Sequence, residues 1–102
     1  MVTLREWLEE MSEDEEIEFV CFGDTGWHDF GNMPKGKLLT FDEAGTWLDK
    51  KFSSVYDVPD CPCIVAWTKS WVLSVSQYHG STSPFRVPRN PVEGYVPDMP
   101  GG

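Results

Sequence analysis

Two segments of the chain place apolar residues at helical spacing. Residues 3–6 (TLRE) form a capping box, and the apolar positions after it recur every three or four residues. They predict a helix over residues 4–11 with a buried stripe of Leu4, Trp7, Leu8 and Met11. A second box at 40–43 (TFDE) begins a stripe of Phe41, Ala44, Leu48 and Phe52 and predicts a helix over 41–51, which Gly45 weakens by about 1 kcal/mol relative to alanine.

Other segments alternate apolar and polar residues or are rich in β-branched and aromatic residues, which is typical of strands. The sequence predicts a strand from Ile17 to Phe22, a turn at 23–26 and a return strand from Trp27 to Phe30. Residues 63–67 and 71–78 are expected to pair as a hairpin. Residues 31–36 and 53–62 contain glycine, proline, asparagine or aspartate and are predicted to be loops.

Proline and glycine dominate the chain from residue 80 onward. Five of the eight prolines lie there, which argues against a helix or a central strand. We therefore expect an α+β domain over residues 1–79, with two short helices and a small, mostly antiparallel sheet. Residues 80–102 are predicted to form an irregular Pro-rich C-terminal tail that packs in part on the domain.

Length and charge narrow the possible functions. A chain of 102 residues makes one domain. Its net charge is −9, and this whole excess lies in residues 1–30, which hold ten acids and one base. Nucleic acids and anionic membranes are polyanions, so such a chain is not expected to bind them directly. A cationic partner, either a protein or a metal ion, is the expectation that remains.

The chain shows no secretory signal and no apolar run long enough to span a membrane, so a cytoplasmic location is expected. The odd count of cysteines, Cys21, Cys61 and Cys63, favours reduced thiols over a disulfide framework. With His28 or His79 they could supply four zinc ligands, but Cys61 and Cys63 are spaced one residue too close for a usual zinc knuckle. Core or surface thiols are therefore preferred, and no cofactor or metal is predicted.

Two short motifs point to other classes of protein. The triplet at 24–26 (DTG) occurs in aspartic proteases, but the glycine before it and the lack of a supporting apolar-apolar-glycine segment favour a plain turn, so no catalytic residue is assigned. The terminal Gly101 and Gly102 resemble the end of ubiquitin-like and sulfur-carrier proteins. A long Pro-rich segment precedes these glycines, so the carrier function remains only an alternative.

The acidic run at the N-terminus is the strongest candidate for a functional surface. Glu9, Glu10 and Glu13 lie at the C-terminal end of the first predicted helix, where the helix dipole disfavours negative charge by about 0.3–1 kcal/mol each. That energetic cost favours an external use of the charge, with a basic protein groove attracted to it over long range. The predicted partner-binding residues are Glu9, Glu10, Glu13, Asp14, Glu15, Glu16 and Glu18.

Residues 4–8 (LREWL), 16–20 (EIEFV), 66–71 (AWTKSW) and 87–91 (VPRNP) resemble segments of small proteins of bacteriophages and mobile elements. That class includes acidic anti-CRISPR inhibitors, some of which mimic DNA. The resemblance implies a non-enzymatic inhibitor that binds a basic, nucleic-acid-binding surface of a bacterial defence complex, such as an RNA-guided nuclease. The alternative is a small structural or accessory protein of a mobile element that self-associates through a sheet edge.

Overall fold

The computed structural model describes residues 2–23, 32–52, 62–78 and 81–97. These residues fold as an α+β protein, which confirms the predicted class. In chain order the elements are β1 (Val2–Thr3), α1 (Leu4–Ser12), β2 (Phe19–Gly23), α2 (Phe41–Leu48), β3 (Lys51–Phe52), β4 (Cys63–Trp67), β5 (Trp71–Tyr78) and β6 (Ser81–Pro88).

Both helices begin where the capping residues predict. The Thr3 hydroxyl accepts a hydrogen bond from the Glu6 amide, and the box at α2 is complete, because Thr40 and Glu43 each bond the other's backbone N–H. Those bonds satisfy backbone donors that the first helical turn leaves unpaired. The end predicted for α2 is wrong: the helix stops at Leu48, since Lys51 and Phe52 pair with β1 as a short antiparallel strand.

The two helices are joined through Arg5. Its guanidinium donates to both carboxylate oxygens of Asp49 and lies 4.8 Å from the centre of the Phe41 ring. A Cβ placed on Gly45 would stand 3.0 Å from the arginine Nη2. The glycine that weakens α2 therefore leaves room for the arginine that ties α2 to α1.

The four longer strands form one antiparallel sheet in the order β2-β4-β5-β6. The predicted hairpin of β4 and β5 is confirmed with the bounds expected. The strand predicted from Ile17 begins at Phe19 instead, although Ile17 is buried. The predicted return strand at Trp27–Phe30 lies outside the described residues.

Residues 81–88 correct the prediction of an irregular tail from residue 80. They form β6, which pairs with β5 along its whole length. Proline is tolerated there because β6 is an edge strand. The backbone N–H groups of β6 point alternately toward β5 and away from it, and the bond from the Arg89 N–H to the Ser70 carbonyl shows which ones point toward β5. By that alternation the backbone positions of Pro84 and Pro88 point away from β5, where no N–H is needed. The irregular segment within the described chain is therefore 89–97.

One face of the sheet carries the core. Val20, Phe22, Ile64, Ala66 and Leu73 are buried on it, and the apolar stripes of both helices pack against them. In the predicted stripe of α1, Leu4 and Leu8 are buried, whereas Trp7 and Met11 are half-buried at the rim. Neither helix of the described residues has the length and apolar character that crossing a membrane requires.

Candidate functional site

The acidic run begins on α1 and crosses to β2, and most of it borders one shallow depression of about 550 Å³. Of the predicted partner-binding residues, Glu10 and Glu18 lie outside this depression. The lining consists of Glu9, Ser12, Glu13, Asp14, Glu15, Glu16, Ile17 and Phe41. Five of the seven carboxylates in the predicted set therefore lie on one surface. The ring of Phe41 and the aliphatic side chain of Ile17 lie beside them.

Glu13 is the first of three acids that bind the protein's own side chains. It follows α1 with a backbone φ of +58°, a conformation that side chains other than glycine rarely adopt. Its carboxylate accepts a hydrogen bond of 2.9 Å from Arg86 on β6. The same arginine donates to the Met11 carbonyl at the end of α1 and stacks 3.9 Å from the centre of the Trp71 ring. Arg86 thus caps the helix and fixes the strained residue at its end.

Glu15 binds the turn between β4 and β5. Its Oε1 accepts hydrogen bonds from the Thr68 hydroxyl at 2.6 Å and from the Ser70 backbone N–H at 3.0 Å. Thr68 is fully buried, and its hydroxyl also accepts from the Trp71 N–H. Hydrogen bonding to Ser70, and then to Thr68, lowers the pKa of Glu15 below its ordinary value. This carboxylate therefore completes the hairpin turn that lacks a standard turn sequence.

Glu18 is held at the start of β2 by Arg89. The arginine Nη1 donates both to the Glu18 carboxylate and to the Thr68 carbonyl. This contact joins the end of the acidic run to the residue that follows β6. We refer to Glu13, Glu15 and Glu18 as the tethered acids, because each one attaches the run to the sheet.

Glu9, Glu10, Asp14 and Glu16 differ from the tethered acids. All four side chains are exposed, and no ion pair or side-chain hydrogen bond joins them to another residue of the described chain. Three of them, Glu9, Asp14 and Glu16, line the depression. We refer to the four as the unpaired acids. They are the part of the predicted partner-binding set whose charge is directed outward.

The sequence prediction missed Arg86, Arg89 and Thr68, which tether the run. One signal did point toward them: α1 ends among glutamates and has no basic residue in its last turn. A cation supplied from elsewhere relieves the unfavourable helix dipole. Because Arg86 and Arg89 lie more than 70 positions away in the chain, their pairing with this segment could not be read from the sequence. Arg86 therefore offsets, within the fold, part of the energetic cost of clustered carboxylates at the end of α1.

The remaining candidate residues from the sequence are the cysteines, the histidines and the two short motifs. Cys21 and Cys63 lie on the adjacent strands β2 and β4, two positions out of register, and both border a second depression of about 300 Å³. Within the described chain no group of three or more His, Cys, Asp or Glu side chains could hold a metal ion. The described residues do not include Cys61, His28, His79, the triplet 24–26 or the terminal glycines.

Comparisons of this chain with protein-family models, with curated proteins and with solved structures found no match. The candidate surface is therefore assigned from the charge and geometry of its own side chains.

Proposed function

We propose that the protein is a non-enzymatic binding protein whose unpaired acids dock on a basic, nucleic-acid-binding surface of another protein. The observation that carries the proposal is the division within the acidic run. Arg86 and Arg89 form ion pairs with Glu13 and Glu18, whereas Glu9, Asp14 and Glu16 stand exposed around one depression and form no salt bridge within the described chain. Of these three acids, Glu9 has an electrostatic interaction with Arg5, whose guanidinium is bound to Asp49. Like charges held together in this way repel one another, and a cationic partner removes that repulsion.

The shape of the surface supports a protein partner with arginine or lysine side chains. Phe41 and Ile17 give the depression an apolar part, on which the aliphatic stem of a long basic side chain can lie while its charged end meets the carboxylates. The tethered acids hold the segment between α1 and β2 in a fixed position. Binding would therefore cost little ordering of the backbone, which favours affinity.

The resemblance to acidic phage proteins directs the choice of partner. A bacterial defence complex such as an RNA-guided nuclease has the basic groove that such a surface fits, and the bound inhibitor would occupy the place of the nucleic acid. In this proposal the protein resembles DNA only in presenting clustered negative charge. The long-range electrostatic attraction between these acids and a basic groove raises the association rate most at low ionic strength.

The test measures binding to a purified RNA-guided nuclease carrying its guide, by biolayer interferometry, with target DNA as competitor. We expect binding that target DNA prevents and that weakens at least about tenfold between roughly 50 and 200 mM salt. The variant with Glu9→Gln, Glu10→Gln, Asp14→Asn and Glu16→Gln should lose most of this binding. Binding that is insensitive to both salt and the four changes would contradict the proposal.

Two double variants with equal net charge separate local from overall charge. Asp14→Asn with Glu16→Gln removes two carboxylates of the depression, whereas Glu6→Gln with Glu93→Gln removes two exposed carboxylates outside it. The first double variant should weaken binding by about tenfold or more, and the second should change it by less than about threefold. Equal effects of the two would mean that net charge, and not this surface, governs the association.

A further inference from the structure

The face of the sheet opposite the core has an unusual composition. Side chains alternate across a strand, so the buried positions Val20, Ala66 and Leu73 place their sequence neighbours on the other side. The pairing register brings these neighbours together across the four strands. We call this surface the outer face; its main side chains are Phe19, Val65, Trp67, Val72, Phe85 and Val87.

The outer face carries no charge within the described strands. Arg86 is the charged side chain on β6, and it points to the inner side, where it meets Trp71 and Glu13. Further outward positions on these strands include serine, cysteine and glycine, as at Ser74 and Ser83. A chain in which a quarter of all residues are charged thus presents one sheet face without a single charge.

No described element packs over this face. The helices lie on the inner side, and the core cluster with the side chains packed against it contains none of the six residues. The segment 91–97 is exposed throughout, and its Val92 and Val96 remain 60% and 78% exposed. Phe19 and Val87 are themselves 42% and 38% exposed. Contiguous apolar surface of this kind is typical of an interaction site.

The two edges of the sheet are less suited to association than its face. Leu39 exchanges backbone hydrogen bonds with Val20, and Gly36 N–H donates to the Phe22 carbonyl, so that residues 36–39 cover the edge at β2. On the edge at β6, Pro84 and Pro88 remove N–H donors from the outward backbone positions. Association by strand addition at these edges is therefore disfavoured.

We propose that the outer face binds the outer face of a second copy of this chain, related by a two-fold axis. An uncharged face is compatible with its own copy, whereas it offers a basic partner nothing to pair with. Glu9 and Glu10 lie on α1 in the opposite layer, so pairing through the outer face keeps these charges apart. This inference concerns a different surface and does not depend on the proposed function.

The area of the outer face is sufficient for a weak dimer. Four strands about 4.8 Å apart, with five to eight residues each at about 3.3 Å, give a plan area of roughly 400 Å² per copy. Two corrugated faces of this size bury on the order of 1,000 Å², the lower limit for a specific interface. We therefore expect dissociation in the micromolar range.

Sedimentation equilibrium of the full chain tests the proposal. We expect a monomer–dimer equilibrium that shifts toward dimer as salt is raised, because salt screens the net repulsion without weakening apolar contacts. Phe19→Lys combined with Val87→Lys should weaken dimerisation by at least about 100-fold, since each change occurs twice in a symmetric interface. Val96→Lys, an equally apolar exposed position outside the face, should leave the dimer unchanged.

The remaining outcomes overturn the proposal. A chain that stays monomeric at about 200 μM, well above a micromolar dissociation constant, would do so, as would a dimer that survives the Phe19 and Val87 changes. A monomer whose Phe19 and Val87 variant loses binding to the nuclease would assign the face to that partner instead. Near-ultraviolet circular dichroism of the tryptophans shows whether each variant is folded. Phe19 and Val87 are already partly exposed, so a lysine at either position can reach solvent.

Discussion

The tethered and unpaired acids come from the same ten-residue stretch and have the same chemistry, yet the fold uses them differently. Glu13, Glu15 and Glu18 bind Arg86, the turn at Thr68 and Arg89. Glu9, Glu10, Asp14 and Glu16 bind nothing within the described chain. One run of carboxylates can thus both attach a segment and present a charged surface. Only the second group forms no bond to the rest of the described chain, so variants must treat the two groups separately.

The largest effect is expected from removing the tether that meets the most groups. Arg86→Ala deletes the cap on the Met11 carbonyl, the ion pair with Glu13 and the contact with the Trp71 ring. We expect the free energy of unfolding to fall by about 2 kcal/mol, most of it from the ring contact and the helix cap. Urea unfolding followed by tryptophan fluorescence measures this loss.

Arg86→Lys is the matched control, since it keeps the positive charge but cannot donate to Met11 and Glu13 in the fixed geometry of a guanidinium. The free energy of unfolding of Arg86→Lys should lie between those of the wild type and of Arg86→Ala. A value for Arg86→Ala within about 0.5 kcal/mol of wild type, as for an ordinary surface change, would show that this tether is not needed.

A smaller effect with a distinct pH dependence is expected at Glu15. Its pKa is lower in the folded protein than the ordinary value of 4.5, because the charged form accepts bonds from Ser70 and Thr68. The stability that this carboxylate contributes is complete above that ordinary value and is lost as the pH falls through the lowered pKa. Glu15→Gln should therefore lower Tm by a few degrees at pH 7 and narrow its difference from wild type in acid.

Thermal unfolding from pH 7 down to about pH 2 makes this comparison, because the difference is expected to narrow below the ordinary pKa of a glutamate. Glu16→Gln is the control, because it neutralises the neighbouring unpaired acid and should leave the wild-type profile in place. A constant Tm difference between Glu15→Gln and wild type at every pH would contradict the assigned hydrogen bonds.

The sequence predicted the elements that local chemistry decides. Both helix starts follow from capping residues, and the hairpin of β4 and β5 follows from runs of β-branched and aromatic residues. The short pairing of β1 with β3 was missed because two residues carry no periodicity. The strand β6 was missed because proline normally argues against a strand, and only its place at the sheet edge makes Pro84 and Pro88 acceptable.

The candidate site was predicted in position but not in its division of roles. Composition alone located the acidic run, and the fold does bring most of it to one depression. Which carboxylates are tethered depends on where β6 and the β4–β5 turn lie, and those contacts join residues more than 50 positions apart. Long-range pairing of this kind leaves no pattern in a single sequence.

The smallest effect on stability is expected from the unpaired acids together. Changing Glu9, Glu10 and Glu16 to glutamine and Asp14 to asparagine breaks no contact of the described chain. It also removes like charges from the end of α1, where the helix dipole disfavours them. We expect Tm to stay unchanged or to rise slightly at low salt, with the difference from wild type vanishing at high salt as the repulsion is screened. A loss comparable to that of Arg86→Ala would place these acids among the tethers, and the loss of binding in this variant would then report unfolding instead of a docking surface.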